Sequence, residues 1–171
     1  MRVLRFAIGL LVALLAHLAG MRLVPHFSLA VDVFLVVLVT KALDGDVVAA
    51  IIAGAVVGLF QDTLGGTLYG MFGVADTIVA YATALLAQKV VIQRMSGVVL
   101  AFVAAAATQQ ALLALLAFVL FPDPELPRVG WVALRIAVTA LLGGVVFVAS
   151  RQWRQRYESW RRNRTARVHF G

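Results

Sequence analysis

Five ionisable side chains lie within otherwise apolar stretches of this 171-residue chain: His17, Asp32, Asp62, Asp76 and Arg135. Such groups are rare inside membrane-spanning segments because their insertion is costly, so each is a functional candidate by default. In a bundle of helices they can pair and fix how the helices pack, or they can line a path for protons or ions. Three carboxyl groups against one guanidinium leave an excess of negative charge, so either one carboxyl keeps its proton or His17 is charged beside it.

The elements that must position these groups are apolar runs long enough to cross a bilayer. Hydrophobic residues make up 63% of the chain and charged residues 13%, against roughly half and a quarter in soluble domains. We therefore predict an all-α, polytopic membrane protein with a six-helix transmembrane bundle in residues 1–150. The predicted spans are 6–24, 27–43, 47–60, 67–87, 97–121 and 129–150.

The third predicted span is short for a membrane crossing. Either it stops within the membrane, or it continues through Asp62 to the glycine pair Gly65 and Gly66. If it continues, the acid in its last turn opposes the helix dipole, so we expect Asp62 to have a partner.

Basic residues predict the orientation of the chain. With a cytoplasmic N-terminus, that side holds five basic residues from the N-terminus and short loops and seven from the last 21 positions, twelve in all, against two outside. Because cytoplasmic loops carry the excess of Lys and Arg, we predict that both termini are cytoplasmic. All five ionisable groups then fall in the outer half of the membrane or near its midplane. Arg135 and Asp32 have similar depths and form the best-placed ion pair, with Asp76 the next candidate partner.

Other chemistries find less support in these residues. A proton or ion pathway would need ionisable groups through the whole membrane thickness, but beyond Asp76 only Gln109 and Gln110 continue the line. We interpret the two glutamines as interhelical hydrogen-bond partners, since an amide both donates and accepts. The chain has no cysteine and its three histidines are scattered, so we expect no metal site and no cofactor.

Small residues recur along two of the predicted helices. Ala50, Gly54 and Gly58 lead to Asp62 on one helix face. The next helix carries the series Gly66, Gly70, Gly73, Asp76, Ala80, Ala84 and Ala87. Such stripes let helix backbones approach closely in lipid. The contact can lie within the chain or in a homodimer, and the sequence leaves both open.

Residues 151–171 form a predicted basic, aromatic cytoplasmic tail. Trp153, Tyr157 and Trp160 are spaced for one helix face. The arginines beside them are Arg151, Arg154, Arg156, Arg161 and Arg162. This pattern suits an anionic lipid surface, at about 1 kcal/mol per basic residue, and equally suits a plain positive stop signal. We do not expect it to bind nucleic acid.

One stretch carries a family resemblance. It reads Gly58-Leu59-Phe60-Gln61-Asp62, followed by Gly65, Gly66, Gly70 and Tyr81. It resembles MreD, the integral membrane member of the bacterial rod-shape complex, whose hallmark is a Gly-Leu-x-Gln-Asp run followed by glycines. The chain departs from the family pattern at Val31-Asp32, where family members usually have Pro-Asp, so only the Asp carries over.

The resemblance implies a non-enzymatic scaffold of the cell-elongation machinery in the bacterial cytoplasmic (inner) membrane. Its partners would be MreC most directly, the actin-like MreB filament and the enzymes of peptidoglycan elongation, with the tail on the lipid or filament side. The implied six-helix fold is similar to the substrate-binding subunits of energy-coupling-factor vitamin transporters. A vitamin-binding subunit of that kind is therefore the alternative function, and it would need a roomy external pocket.

Overall fold

A computed structural model describes residues 2–65, 70–89, 95–124 and 127–168 of the chain. These residues form seven helices and no strand, in agreement with the predicted all-α class. The helices are α1 (Arg2–Leu23), α2 (Phe27–Ala30), α3 (Val33–Ala42), α4 (Val47–Gly65), α5 (Met71–Lys89), α6 (Met95–Leu120) and α7 (Val129–Val168).

Five of the helices, α1, α4, α5, α6 and α7, are long and apolar enough to cross a membrane. This is compatible with a multi-pass membrane protein. The predicted count of six such helices is not reproduced, because the run 27–43 is divided into the short helices α2 and α3.

The division occurs at Val31 and Asp32, whose backbones are extended. Asp32 is the N-cap of α3, and its Oδ1 accepts a hydrogen bond from the backbone N–H of Leu35 at 2.9 Å. An N-cap residue has non-helical backbone angles, so the same side chain that begins α3 ends the continuous helix predicted there. The prediction of one continuous helix over residues 27–43 was wrong, because Asp32 begins a helix and does not lie inside one.

The short helix α3 lies at the centre of the bundle. It packs against α1, α4, α5, α6 and α7. Seven of its ten residues are buried: Val33, Phe34, Leu35, Val36, Leu38, Val39 and Ala42. A helix that is apolar on every side belongs in an interior. Non-helical backbone at membrane depth is tolerated only where protein covers it, and this central position provides that cover.

The outer surface of the bundle is apolar. Exposed large hydrophobic side chains follow one face of each long helix, for example Leu11 on α1, Ile52 on α4, Ile78 on α5, Leu115 on α6 and Leu141 on α7. α1 is the least enclosed of these five helices, with 6% of its most apolar 18-residue stretch buried. Acyl chains are a suitable surrounding for such a surface, because they are as apolar as the side chains that meet them.

The helices α4 and α5 approach so closely that their backbones touch. A Cβ atom added at Gly54 would lie 2.6 Å from the carbonyl oxygen of Asp76. One added at Gly58 would overlap the carbonyl group of Phe72 and the Cα of Gly73. The predicted small-residue stripes therefore pack against each other within the chain. Gly66 lies outside the described residues.

α4 also decides between the two alternatives for the third span. It runs through Asp62 and ends at Gly65, so the span continues rather than stopping at residue 60.

Candidate functional site

Asp32 is the centre of a polar network that joins three helices. Its Oδ2 pairs with Nη2 of Arg135 at 2.6 Å, so the predicted ion pair is present. Its Oδ1 accepts hydrogen bonds from the N–H of Leu35 and from Nε2 of Gln61 at 2.7 Å. Its own backbone N–H donates to Oγ1 of Thr139 at 3.0 Å. One carboxylate thus connects the start of α3 to α4 and α7.

The two partners on α7 are positioned by helical spacing. Arg135 and Thr139 are four residues apart and lie on the same face of that helix, which faces the break before α3. The Arg135 side chain is 17% exposed, whereas that of Asp32 is 1% exposed. Protein therefore encloses the acid more fully than its cation, and the pair has to be hydrogen-bonded to be stable at this depth.

His17 lies beside this network. Its ring is 5.3 Å from that of Phe34 and 6.2 Å from that of Phe27, between centroids. Asp32 and Arg135 are near enough to interact with it electrostatically. Within the described residues its Nδ1 is buried and has no hydrogen-bond partner. The structure thus places His17 with the predicted cluster as a packing residue of α1, against two aromatic rings.

Asp62 is a buried acid that binds backbone amides and not a cationic side chain. It is 1% exposed, and its carboxylate accepts three backbone N–H groups at the start of α5. Gly70 and Gly73 donate to Oδ2 at 2.9 and 3.1 Å, and Phe72 donates to Oδ1 at 3.0 Å. The predicted partner of Asp62 is therefore the N-terminal end of the next helix, whose free amides and dipole favour an anion. No side-chain cation takes part in these bonds.

We expect Asp62→Asn to destabilise the start of α5 by about 2 to 3 kcal/mol, in the range for hydrogen bonds to a charged group. An asparagine has one acceptor oxygen where the carboxylate has two, and its NH2 group would face amide donors. Hydrogen exchange at the amides of Phe72 and Gly73 should accelerate accordingly.

The matched control is Asp46→Asn. Asp46 is exposed and caps α4 through a single hydrogen bond from Ala49, and asparagine caps a helix about as well as aspartate. Equal exchange rates in the two variants would contradict the assignment of Asp62 as the anion that holds α5.

Asp76 does not join the ion pair. It is 0% exposed, and its Oδ1 accepts a hydrogen bond from Nε2 of Gln109 on α6 at 2.7 Å. The structure thus divides the predicted cluster into three parts: Asp32 with Arg135, Asp62 with the start of α5, and Asp76 with Gln109.

The remaining motif residues are placed as follows. Leu59 and Tyr81 are 52% and 45% exposed on the outer surface, and Gly65 is exposed too. Gly70 has φ +102° with open space around its Cα, so it forms the turn before α5 and is not a packing contact. Of the small-residue stripes, Gly54 and Gly58 therefore pack against α5 within the chain, whereas Gly70 makes no packing contact.

The tail lies largely outside the described side chains. α7 continues without a break to Val168. The structure describes the backbone but not the side chains of the residues predicted to meet lipid or filament: Arg151, Trp153, Arg154, Arg156, Tyr157, Trp160, Arg161 and Arg162.

A groove between α5 and α6 has a volume of about 50 Å³ and is lined mainly by alanines and by Thr83 and Thr108. Small-molecule pockets usually measure about 300 to 1,000 Å³ and contain several converging polar groups. This groove therefore does not resemble the pocket that the vitamin-binding alternative requires.

Comparison of the chain with protein-family models, with curated proteins and with solved structures found no match. Both the likeness to MreD and the likeness to vitamin-transporter subunits stay predictions that depend on the motif residues.

Proposed function

We propose that this chain is a non-enzymatic membrane scaffold of the kind that the MreD resemblance implies. It would work in the bacterial cytoplasmic membrane and connect MreC, the MreB filament and the enzymes of peptidoglycan elongation.

The observation that carries the proposal is the use of the polar side chains. Asp32, Arg135, Gln61 and Gln109 form hydrogen bonds with other helices of the same chain. The outward helix faces are apolar. A bundle arranged in this way presents a partner with apolar helix faces and loops, and its polar interior stabilises the shape of those faces.

The proposal includes a sixth crossing, made by α2 and α3 together as a broken helix. Asp32 at the start of α3 bonds to Gln61 near the end of α4 and to Arg135 near the start of α7. These contacts support an α3 that runs antiparallel to α4 and parallel to α7. Six crossings return the chain to the side where it began, so both termini would be cytoplasmic, as the basic residues predict.

The surface that we propose for MreC is formed by the outer faces of α4 and α5. Two residues of the MreD-like motif, Leu59 and Tyr81, are exposed there, whereas Gly58, Gln61 and Asp62 of the same motif are buried. Each extends a stripe of exposed apolar residues at helical spacing. The stripes are Val48, Ile52, Val56 and Leu59 on α4, and Val74, Ile78 and Tyr81 on α5. A single membrane-spanning helix of the partner could pack along them.

Site-specific photo-crosslinking tests this surface. A photoreactive residue at position 59 or 81, in a chain expressed with MreC from the same organism, is expected to crosslink to MreC at least several-fold more than one at Leu141. Leu141 is the matched control because it is 66% exposed on α7. Equal yields at the three positions would contradict the proposed surface. Failure of MreC to crosslink or to co-purify with the unmodified chain would contradict the scaffold function.

A further inference from the structure

The pair Asp76 and Gln109 is the most deeply buried polar contact in the described part of the chain. Both side chains are 0% exposed, and they connect α5 to α6 through one hydrogen bond of 2.7 Å, donated by Nε2 of Gln109 to Oδ1 of Asp76. The main chain of Asp76 also lies against Gly54 on α4. The pair therefore sits where three helices meet.

The donors and acceptors of this pair do not balance if Asp76 is a carboxylate. Oδ2 of Asp76 and Oε1 of Gln109 are both buried, and neither has a partner within the described residues. Both atoms are acceptors in that state, so they cannot satisfy each other. Leaving two buried acceptors unpaired in one contact is costly, and native structures rarely do so.

We propose that Asp76 binds a proton on Oδ2 and donates it to Oε1 of Gln109. The pair then becomes a carboxylic acid and an amide joined by two hydrogen bonds, one in each direction. A single proton taken from water satisfies both unpaired atoms and changes the charge of Asp76 from −1 to 0. The site is a proton-binding site in the interior of the bundle.

The charged groups around Asp76 are already engaged. Asp32, Asp62 and Arg135 are those that interact with it electrostatically. Arg135 is paired with Asp32 at 2.6 Å, and Asp62 is held by three backbone amides. On α6 the group that faces Asp76 is the neutral amide of Gln109. A negative charge on Asp76 would lie close to the carboxyl groups of Asp32 and Asp62 without a cation of its own, and protonation removes that charge.

This inference does not depend on the proposed function. A proton on Asp76 lowers the excess negative charge of the buried polar residues by one, and it allows an acid to join α5 to α6 without a cation.

Infrared spectroscopy of the full chain in lipid nanodiscs at neutral pH tests the inference. Exposed carboxyl groups are ionised under these conditions, and the C=O stretching band of a protonated carboxyl lies apart from the carboxylate and amide bands. We expect one such band in the unmodified chain, its complete loss in Asp76→Asn, and its retention in the control Asp46→Asn. Absence of the band from the unmodified chain, or its persistence in Asp76→Asn, would overturn the proposal.

A second variant keeps the test decisive if Asp76→Asn does not fold. Gln109→Met has a similar shape but removes the amide. The band is then expected to remain and to shift to higher frequency, because the carboxyl group has lost both hydrogen bonds. An unshifted band in folded Gln109→Met would place the proton on another residue and overturn the assignment to Asp76.

Discussion

Arg135→Met is expected to destabilise the bundle by about 3 to 5 kcal/mol, which is the cost of leaving a buried charge without its partner. Asp32 is 2% exposed and would keep a negative charge with only neutral donors beside it. Since folded domains are stable by only about 5 to 15 kcal/mol, a loss of this size should also lower the amount of protein in membranes. The measurement is reversible unfolding of the purified chain in mixed micelles.

Two further variants separate charge from shape. In Arg135→Met combined with Asp32→Asn, most of the stability should return, because the asparagine oxygen can still accept from Leu35 and Gln61 while no unpaired charge remains. The matched control is Arg128→Met, because Arg128 is exposed just before α7. A surface substitution of this kind usually changes the free energy of unfolding by less than about 0.5 kcal/mol. If Arg135→Met is no less stable than Arg128→Met, the ion pair does not stabilise the fold.

Exchanging the two charges, with Asp32→Arg and Arg135→Asp together, is not a suitable test of the ion pair. An arginine at position 32 could pair with an aspartate at 135, but it could not accept the hydrogen bonds from Leu35 and Gln61. Asp32 is therefore both half of an ion pair and the N-cap of α3, and it serves both purposes because its carboxylate is charged and accepts hydrogen bonds.

The parts of the fold that could be predicted from the sequence are those decided by composition and spacing. Long apolar runs predicted the helices α1, α4, α5, α6 and α7. Small residues four apart predicted a close contact between helix backbones, and the structure has this contact between α4 and α5. The pairing of Asp32 with Arg135 followed from equal depth, because a single cation among three acids leaves few alternatives.

The rest depended on tertiary contacts that spacing does not specify. An aspartate before an apolar run is a possible N-cap, but inside a longer apolar run the same residue also fits a continuous helix, and Thr139 on a distant helix stabilises the break. Gln109 and Gln110 are adjacent and chemically identical, yet the structure buries the first fully and the second only partly. Only the packing of α5 against α6 distinguishes them.

Gly58→Ala is expected to separate α4 from α5, although alanine is the better helix former by about 1 kcal/mol. The added Cβ would overlap the carbonyl group of Phe72 and the Cα of Gly73, which are backbone atoms that cannot rotate away. Overpacking usually costs about 1 to 3 kcal/mol. The cost should lie at the upper end here, because Asp62 binds the amides of the same two residues and would lose these hydrogen bonds when the helices part.

Gly130→Ala provides the comparison, since Gly130 lies at the start of α7 with open space around it. That variant should be as stable as the unmodified chain or slightly more stable, because only the helix preference changes. Thermal unfolding gives the stability of both variants, and hydrogen exchange at Phe72 and Gly73 reports whether the contact with Asp62 persists. Gly58→Ala with unchanged exchange at these amides would mean that the backbones of α4 and α5 do not touch at this point. Gly58 would then have no packing function, and the backbone contact of α4 with α5 would be limited to Gly54.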